Sequence, residues 1–113
     1  MDIREEMYQA LADAKIDVYL PGQYQGACKA PYVVLSDGGV ISMGKSTGRR
    51  SFWVTGYAPV SRPMALKPLL AQVRSALAPL KTPRTSGEIS PEDYDEESQA
   101  VFAAIEYTAL CAI

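Results

Sequence analysis

Apolar residues recur at helical spacing in two segments of the chain. The first segment, residues 2–14, also has acidic side chains near its N-terminal end, where the helix dipole favours them. The second, residues 62–80, has a longer apolar stripe and contains Pro68, which fits only near the start of a helix, so this helix can begin later than residue 62. The two stripes consist of Ile3, Met7, Leu11 and Ala14, and of Leu66, Leu69, Leu70, Val73, Leu77 and Leu80.

β-Branched, aromatic and alternating residues predict strands between and after these helices. The expected strands are residues 17–20, 32–35, 51–57, 85–90 and 101–113. The second is expected to stop at Asp37-Gly38-Gly39, and glycine and small polar residues predict a mobile basic loop over residues 44–50. Residues 91–98 predict an acidic turn. In the last strand alternate residues form one apolar face, made of Val101, Ala103, Ile105, Tyr107, Ala109 and Cys111.

The order of these elements predicts an α+β fold in a single domain over residues 1–113. We expect two helices packed on one face of a mainly antiparallel (mixed) sheet of about four to five strands. A length of 113 residues, with 48% hydrophobic and 21% charged residues, suits one globular domain. The uncharged runs are far shorter than the roughly 20 apolar residues that span a bilayer, and the N-terminal sequence is unlike a signal peptide. We therefore expect a cytoplasmic protein.

Charge is distributed in blocks, although the formal net charge is only −2. Residues 1–37 hold six acids and three bases, residues 38–87 hold eight bases and no acid, and the remainder holds seven acids and no base. Opposite blocks can pair within one chain or between neighbouring copies. The candidate oligomer interface is a basic set, Lys45, Arg49 and Arg50, and an acidic set, Glu92, Asp93, Asp95, Glu96 and Glu97.

Residues 39–46 match the pattern of a phosphate-binding P-loop, ending in Gly44-Lys45-Ser46. That motif works because a helix follows the glycine-rich turn and directs backbone N–H groups at the phosphates. Here the sequence that follows predicts a loop and then a strand, and no acid in residues 38–87 could hold magnesium. We therefore expect the match to be a coincidence in a hairpin loop, without nucleotide binding.

The sequence predicts no catalytic residues, no metal site and no cofactor. It contains no histidine, which removes the commonest general base and zinc ligand. Cys28 and Cys111 share no metal-ligand spacing and are expected to be reduced thiols. The acidic segment lacks the spacing and the glycine of a calcium loop. The basic stretch at residues 45–50 is a modest patch without a nucleic-acid recognition motif.

The order of elements resembles the tail terminator (tail completion, or minor tail) proteins of long-tailed bacteriophages. The resemblance covers most of the chain and is carried by the combination of its parts. These parts are the helix at residues 3–14, the strand at 32–35, the segment Phe52-Trp53-Val54-Thr55-Gly56-Tyr57-Ala58-Pro59 leading into the helix at 66–80, and the acidic segment 92–97 that opens the closing strand. The family has no invariant motif, so no individual functional residue is transferred.

This resemblance implies a structural virion protein without catalysis or cofactor. Its subunits would form a homo-oligomeric ring, typically a hexamer, that caps the finished tail tube and joins it to the head connector, and DNA could pass through the ring. The protein would reside in the host bacterial cytoplasm during assembly and then in the virion tail or neck. Two alternatives stay open: a nucleotide- or nucleic-acid-binding module built on residues 39–50, and another neck or head–tail joining component.

Overall fold

Two helices and a mixed sheet of six strands make up the computed structural model, which describes residues 2–24, 26–80 and 82–112. This is the α+β fold that the sequence predicts, with one or two strands more than expected. In chain order the elements are α1 (Ile3–Asp13), β1 (Val18–Tyr19), β2 (Tyr32–Ser42), β3 (Thr47–Pro59), a 3-10 turn (Pro63–Ala65), α2 (Leu66–Leu77), β4 (Arg84–Ile89), β5 (Asp93–Asp95) and β6 (Ala100–Ala112).

The sheet has the strand order β1-β2-β3-β6-β4, and β5 also pairs with β6. Only β1 and β2 run parallel, and the other pairs are antiparallel. Its centre is the long pair β3 and β6, which stays in register from Thr47 opposite Ala112 to Pro59 opposite Ala100. The molecule is correspondingly elongated, with a long axis of 48 Å.

One face of the sheet packs against both helices. Because side chains alternate along a strand, Phe52, Val54 and Ala58 of β3 point into this core while their neighbours point the other way. Each helix contributes its apolar stripe, and the predicted alternation of β6 is confirmed. The buried helix residues are Met7 and Leu11 of α1, with Leu66, Leu69, Leu70, Val73 and Leu77 of α2.

The predicted end of the second strand is wrong. The strand was expected to stop at Asp37-Gly38-Gly39, but β2 continues to Ser42. A register shift between Asp37 and Gly39 absorbs the extra residue, and Gly39 adopts a φ of 89° that glycine accommodates without a Cβ clash. Strand pairing therefore resumes at Gly39 opposite Ser51.

The predicted mobile loop at residues 44–50 is also wrong in extent. Thr47 and the residues up to Arg50 belong to β3, and only residues 43–46 form the turn. Pairing with β2 on one side and β6 on the other fixes this segment despite its glycine and small polar residues. The predicted acidic turn at residues 91–98 is also wrong in part, because it contains the short strand β5. The last residue of the predicted closing strand, Ile113, lies outside the described residues.

Candidate interaction surfaces

The predicted basic residues lie at the end of the hairpin formed by β2 and β3, but they fall into two groups. Lys45 is exposed in the turn and Arg49 is exposed on β3, and we call these two residues the basic tip. Arg49 lies between Ile41 and Leu110 in the sheet register, and both of these apolar side chains are largely exposed. The basic tip is therefore a cationic site flanked by apolar surface.

Arg50 points to the other face and is engaged within the chain. Its Nε and Nη2 donate hydrogen bonds to Oδ2 of Asp37 at 3.2 and 2.7 Å, and its Nη1 donates to Oδ1 of Asp2 at 2.9 Å. The guanidinium also lies 4.9 Å from the centroid of the Phe52 ring. The hydrogen bond from Arg50 is the main cause that lowers the pKa of Asp37, and the backbone N–H of Gly39 adds to it.

The acidic residues gather at the opposite end of the molecule, where residues 92–97 form what we call the acidic turn. Glu92, Asp93, Glu96 and Glu97 are exposed, while Asp95 is half-buried. Asp95 accepts hydrogen bonds from the Ser98 hydroxyl at 2.8 Å and from the Glu97 backbone N–H at 3.2 Å. These bonds hold the turn between β5 and β6 in shape.

The basic tip and the acidic turn are far apart in one molecule. They lie at opposite ends of the paired strands β3 and β6, each of which is 13 residues long. At roughly 3.3 Å per residue, the separation is about 40 Å. The structure therefore brings the members of each set together, but it does not bring the two sets together within one chain.

The sheet face turned away from the helices carries a cluster of aromatic side chains that the sequence reasoning missed. Tyr32 lies opposite Tyr57 in the register of β2 and β3, and their rings stack at 4.9 Å. Tyr24 stacks on the other side of Tyr32 at 4.0 Å, and Phe102 of β6 lies 5.6 Å from Tyr57. Tyr19 contacts Tyr24 and Tyr32 edge-on, at centroid distances of 5.2 and 5.7 Å.

A groove of about 510 Å³ opens beside these rings, and we call it the tyrosine groove. Two carboxylates of the acidic turn lie in its wall. Burial is the main cause that raises the pKa of Tyr57, and the nearby Asp95 raises it further. Burial raises the pKa of Tyr32 more strongly. The lining residues are Leu20, Pro21, Gly22, Tyr24, Gly26, Tyr32, Val34, Tyr57, Asp95, Glu97 and Ser98.

Only the spacing of tyrosines in the sequence hints at this groove. Tyr19, Tyr32 and Tyr57 fall on three predicted strands, but strand pairing decides whether they meet. The register that places Tyr32 opposite Tyr57 depends on the bulge and turn of the β2–β3 hairpin. The tyrosine groove was therefore not predictable from periodicity alone.

The P-loop pattern lies in the β2–β3 hairpin. Its first residues belong to β2, its lysine is in the turn, and the strand β3 follows at Thr47. The turn is closed by a backbone hydrogen bond from Met43 N–H to the Thr47 carbonyl at 2.9 Å, and the Ser42 hydroxyl donates to the Gly44 carbonyl at 3.0 Å. The segment thus lacks the helix whose N-terminus cradles phosphates in a P-loop.

Other candidate chemistry is sparse in the part of the chain that the structure describes. No group of three or more His, Cys, Asp or Glu side chains there could hold a metal ion. Cys28 is a buried free thiol whose Sγ donates to the Ala30 carbonyl at 3.3 Å, and burial raises its pKa. Cys111 is also free.

Comparison with known families finds no family model that matches this chain, and no curated protein matches it either. Within residues 2–24, 26–80 and 82–112, neither helix is long and apolar enough to cross a membrane.

Proposed function

We propose that this chain is a structural subunit that acts by self-assembly. In the form that the resemblance suggests, it builds a ring, typically of six copies, that caps a phage tail tube and joins it to head connector proteins. The subunit would assemble in the bacterial cytoplasm, become part of the virion tail or neck, and need neither a cofactor nor a catalytic residue. Another neck or head–tail joining position would use the same assembly chemistry.

The observation that carries this proposal is the placement of opposite charges about 40 Å apart, a distance estimated from strand length. The basic tip and the acidic turn cannot neutralise each other within one molecule, but they can do so between molecules. A ring needs two different complementary surfaces on each subunit, because contacts around it are heterologous. The two ends of this elongated chain supply such a pair.

Apolar surface near the basic tip supports the same proposal. Exposed ion pairs contribute only about 0.2–1 kcal/mol each, so association requires apolar burial as well. The exposed fractions of Ile41, Leu110 and Trp53 are 56, 66 and 38%. All three lie on the sheet face that neither α1 nor α2 covers, as the residue alternation along β2, β3 and β6 shows.

The test is a measurement of mass by multi-angle light scattering over a range of protein concentrations in low salt. We expect oligomers that grow with concentration, and closed rings in negatively stained electron micrographs. A chain that remains monomeric up to about millimolar concentration would contradict self-assembly. Oligomers without closed rings would contradict the ring while retaining the assembly.

Nucleic-acid binding by the hairpin is the second candidate function, because Lys45 and Arg49 are both exposed at its end. Phosphate contacts by such side chains are independent of sequence and weaken steeply with salt. Fluorescence anisotropy with labelled single- and double-stranded DNA tests this function, with Lys45→Ala/Arg49→Ala as the variant. Isothermal titration with Mg·ATP tests the nucleotide alternative, for which we expect no binding heat.

A further inference from the structure

We propose that the tyrosine groove of one subunit receives the basic tip of a neighbouring copy. The inference rests on the proposed self-assembly and names the two surfaces that meet. The tip would contribute Lys45 and Arg49, and the groove would contribute its tyrosine rings with the carboxylates of Asp95 and Glu97.

Tyr32 supplies a polar group to the groove wall, and its hydroxyl is not sealed from solvent. Tyr32 is only 5% exposed, yet it lines the groove. Within the described residues its hydroxyl makes no hydrogen bond, whereas the Tyr24 hydroxyl donates to the Ala27 carbonyl at 2.9 Å. The Tyr32 hydroxyl is thus placed to accept a hydrogen bond from a group that enters the groove.

The lining of the groove favours a cation. Carboxylates attract a cation, and the hydroxyl oxygens of tyrosines can accept its hydrogen bonds. Asp95 and Glu97 line the same groove as Tyr57. No lysine or arginine of the described residues lines the groove, so its negative charge is not balanced from within it. A guanidinium fits this combination best, because its fork of N–H donors can bond carboxylate and hydroxyl oxygens at the same time.

The chain itself presents a matching cation. Arg49 is exposed and forms no ion pair with the described residues, in contrast to Arg50, which is held by Asp2 and Asp37. Lys45 projects from the adjacent turn. Because Arg49 and Tyr57 of the groove are eight residues apart on β3, about 26 Å at roughly 3.3 Å per residue, the basic tip can reach only the groove of another copy. The contact would therefore leave a free tip and a free groove at the two ends of each growing assembly.

The test uses two full-length variants with opposite defects. Lys45→Ala/Arg49→Ala removes the tip and keeps the groove, and Asp95→Asn/Glu97→Lys impairs the groove and keeps the tip. We expect each variant alone to associate at least tenfold more weakly than the unmodified chain in sedimentation velocity. An equimolar mixture should form a heterodimer and stop there, because it contains one intact tip and one intact groove.

Matched controls separate the groove from general electrostatics. Glu96→Lys changes the same charge one residue away from Glu97, but Glu96 does not line the groove. We expect Glu96→Lys to weaken assembly far less than Glu97→Lys, and the urea midpoints of all variants to show that they are folded. A single Glu97→Lys substitution provides a groove defect that leaves the hydrogen bonds of Asp95 in place.

The outcomes distinguish this inference from the proposed function. If the unmodified chain assembles and the groove variants assemble equally well, the groove is not the contact, while self-assembly stands. A mixture that stays monomeric, or an equal effect of Glu96→Lys and Glu97→Lys, also overturns the inference. If the unmodified chain itself stays monomeric, both the inference and the proposed self-assembly fail.

Discussion

Arg50 holds Asp37 through two nitrogens on one carboxylate oxygen, at 3.2 and 2.7 Å. Asp37 lies at the bulge of β2 and also accepts the Gly39 backbone N–H at 2.8 Å. Since the same guanidinium reaches Asp2 just before α1, one side chain connects the two strands of the hairpin to the N-terminal helix. This cluster stabilises the part of the sheet that extends towards the basic tip.

Substitution of Arg50 should therefore lower stability, unlike substitution of its neighbour. Exposed ion pairs contribute about 0.2–1 kcal/mol each and a cation–π contact about 0.5–1 kcal/mol, so Arg50→Ala should cost about 1–2 kcal/mol. Arg49→Ala is the control and should change the free energy of unfolding by less than about 0.5 kcal/mol. Urea denaturation monitored through Trp53 measures both. Equal effects of the two substitutions would show that the Asp2 and Asp37 contacts contribute nothing.

The Asp37 carboxylate should make stability depend on pH. Its pKa is lowered in the folded chain, chiefly by the hydrogen bond from Arg50, relative to about 3.9 in an unfolded chain. The contribution is therefore complete above pH 4 to 5 and is lost as pH falls through the folded pKa. The difference in unfolding free energy between the unmodified chain and Asp37→Asn should shrink as pH falls from 7 to 3. A difference that stays constant would contradict this assignment.

Gly56 has little room for a side chain, because α2 lies directly on it. A Cβ at this position would stand 2.9 Å from Leu70 Cδ2, 3.3 Å from Leu69 Cδ2 and 3.4 Å from Leu66 Cδ1. Overpacking of this kind costs about 1–3 kcal/mol, and since the nearest atoms are leucine methyls that can shift slightly, we expect Gly56→Ala near the lower end. Gly44→Ala is the control, because nothing lies within 4 Å of its added Cβ. Thermal denaturation compares the two.

The sequence predicts the core well because the core depends on periodicity. The stripe of α2 and the alternation of β6 are local signals, and all five residues from Leu66 to Leu77 in that stripe are buried. The length of β2 was missed because Gly38 and Gly39 are breakers by local propensity, whereas in the fold they form a bulge. Tertiary pairing overrides propensity at this position.

The candidate site, too, could be predicted from the sequence only in part. Charge blocks in the sequence are sufficient to nominate a basic and an acidic set. Only the register of β3 against β6 shows that these sets lie at opposite ends of the sheet. The sequence also could not separate Arg49 from Arg50, because the difference between them is the side of the sheet to which each points. The tyrosine groove combines two strands, a loop and a turn, so its formation required the whole fold.

The apolar surface around the basic tip should matter for assembly and not for folding. Leu110 is 66% exposed and lies opposite Arg49. Leu110→Ser should therefore leave the urea midpoint nearly unchanged and weaken oligomer formation several-fold, because burial of apolar area supplies most of an interface's affinity. Ile105→Ser on the same strand is the contrast, since Ile105 is fully buried and its substitution should destabilise the fold. Unchanged assembly in Leu110→Ser would place the apolar contact elsewhere.

Reversing the charges of the basic tip should impair assembly. Reversing two charges of the acidic turn in the same chain should restore part of it. Lys45→Glu/Arg49→Glu would place acids of one copy against the acidic turn of the next, and like charges across an interface disfavour the contact. Arg50 is left unchanged, because reversing it would break its bonds to Asp2 and Asp37 inside the chain. Adding Glu96→Lys/Glu97→Lys to the same chain should restore part of the lost assembly, since each tip would again meet an opposite charge.

The salt dependence of assembly should show whether these charges act between subunits. The Debye length falls from about 30 Å at 0.01 M to about 8 Å at 0.15 M salt, so attraction and repulsion between exposed charges should both weaken over this range. In light scattering, the defect of the reversed chain should be largest at low salt and smaller at 0.15 M. The doubly reversed chain should follow the salt dependence of the unmodified one. If the first reversal assembles normally in low salt, the two charge sets do not meet between subunits, and assembly must use other surfaces.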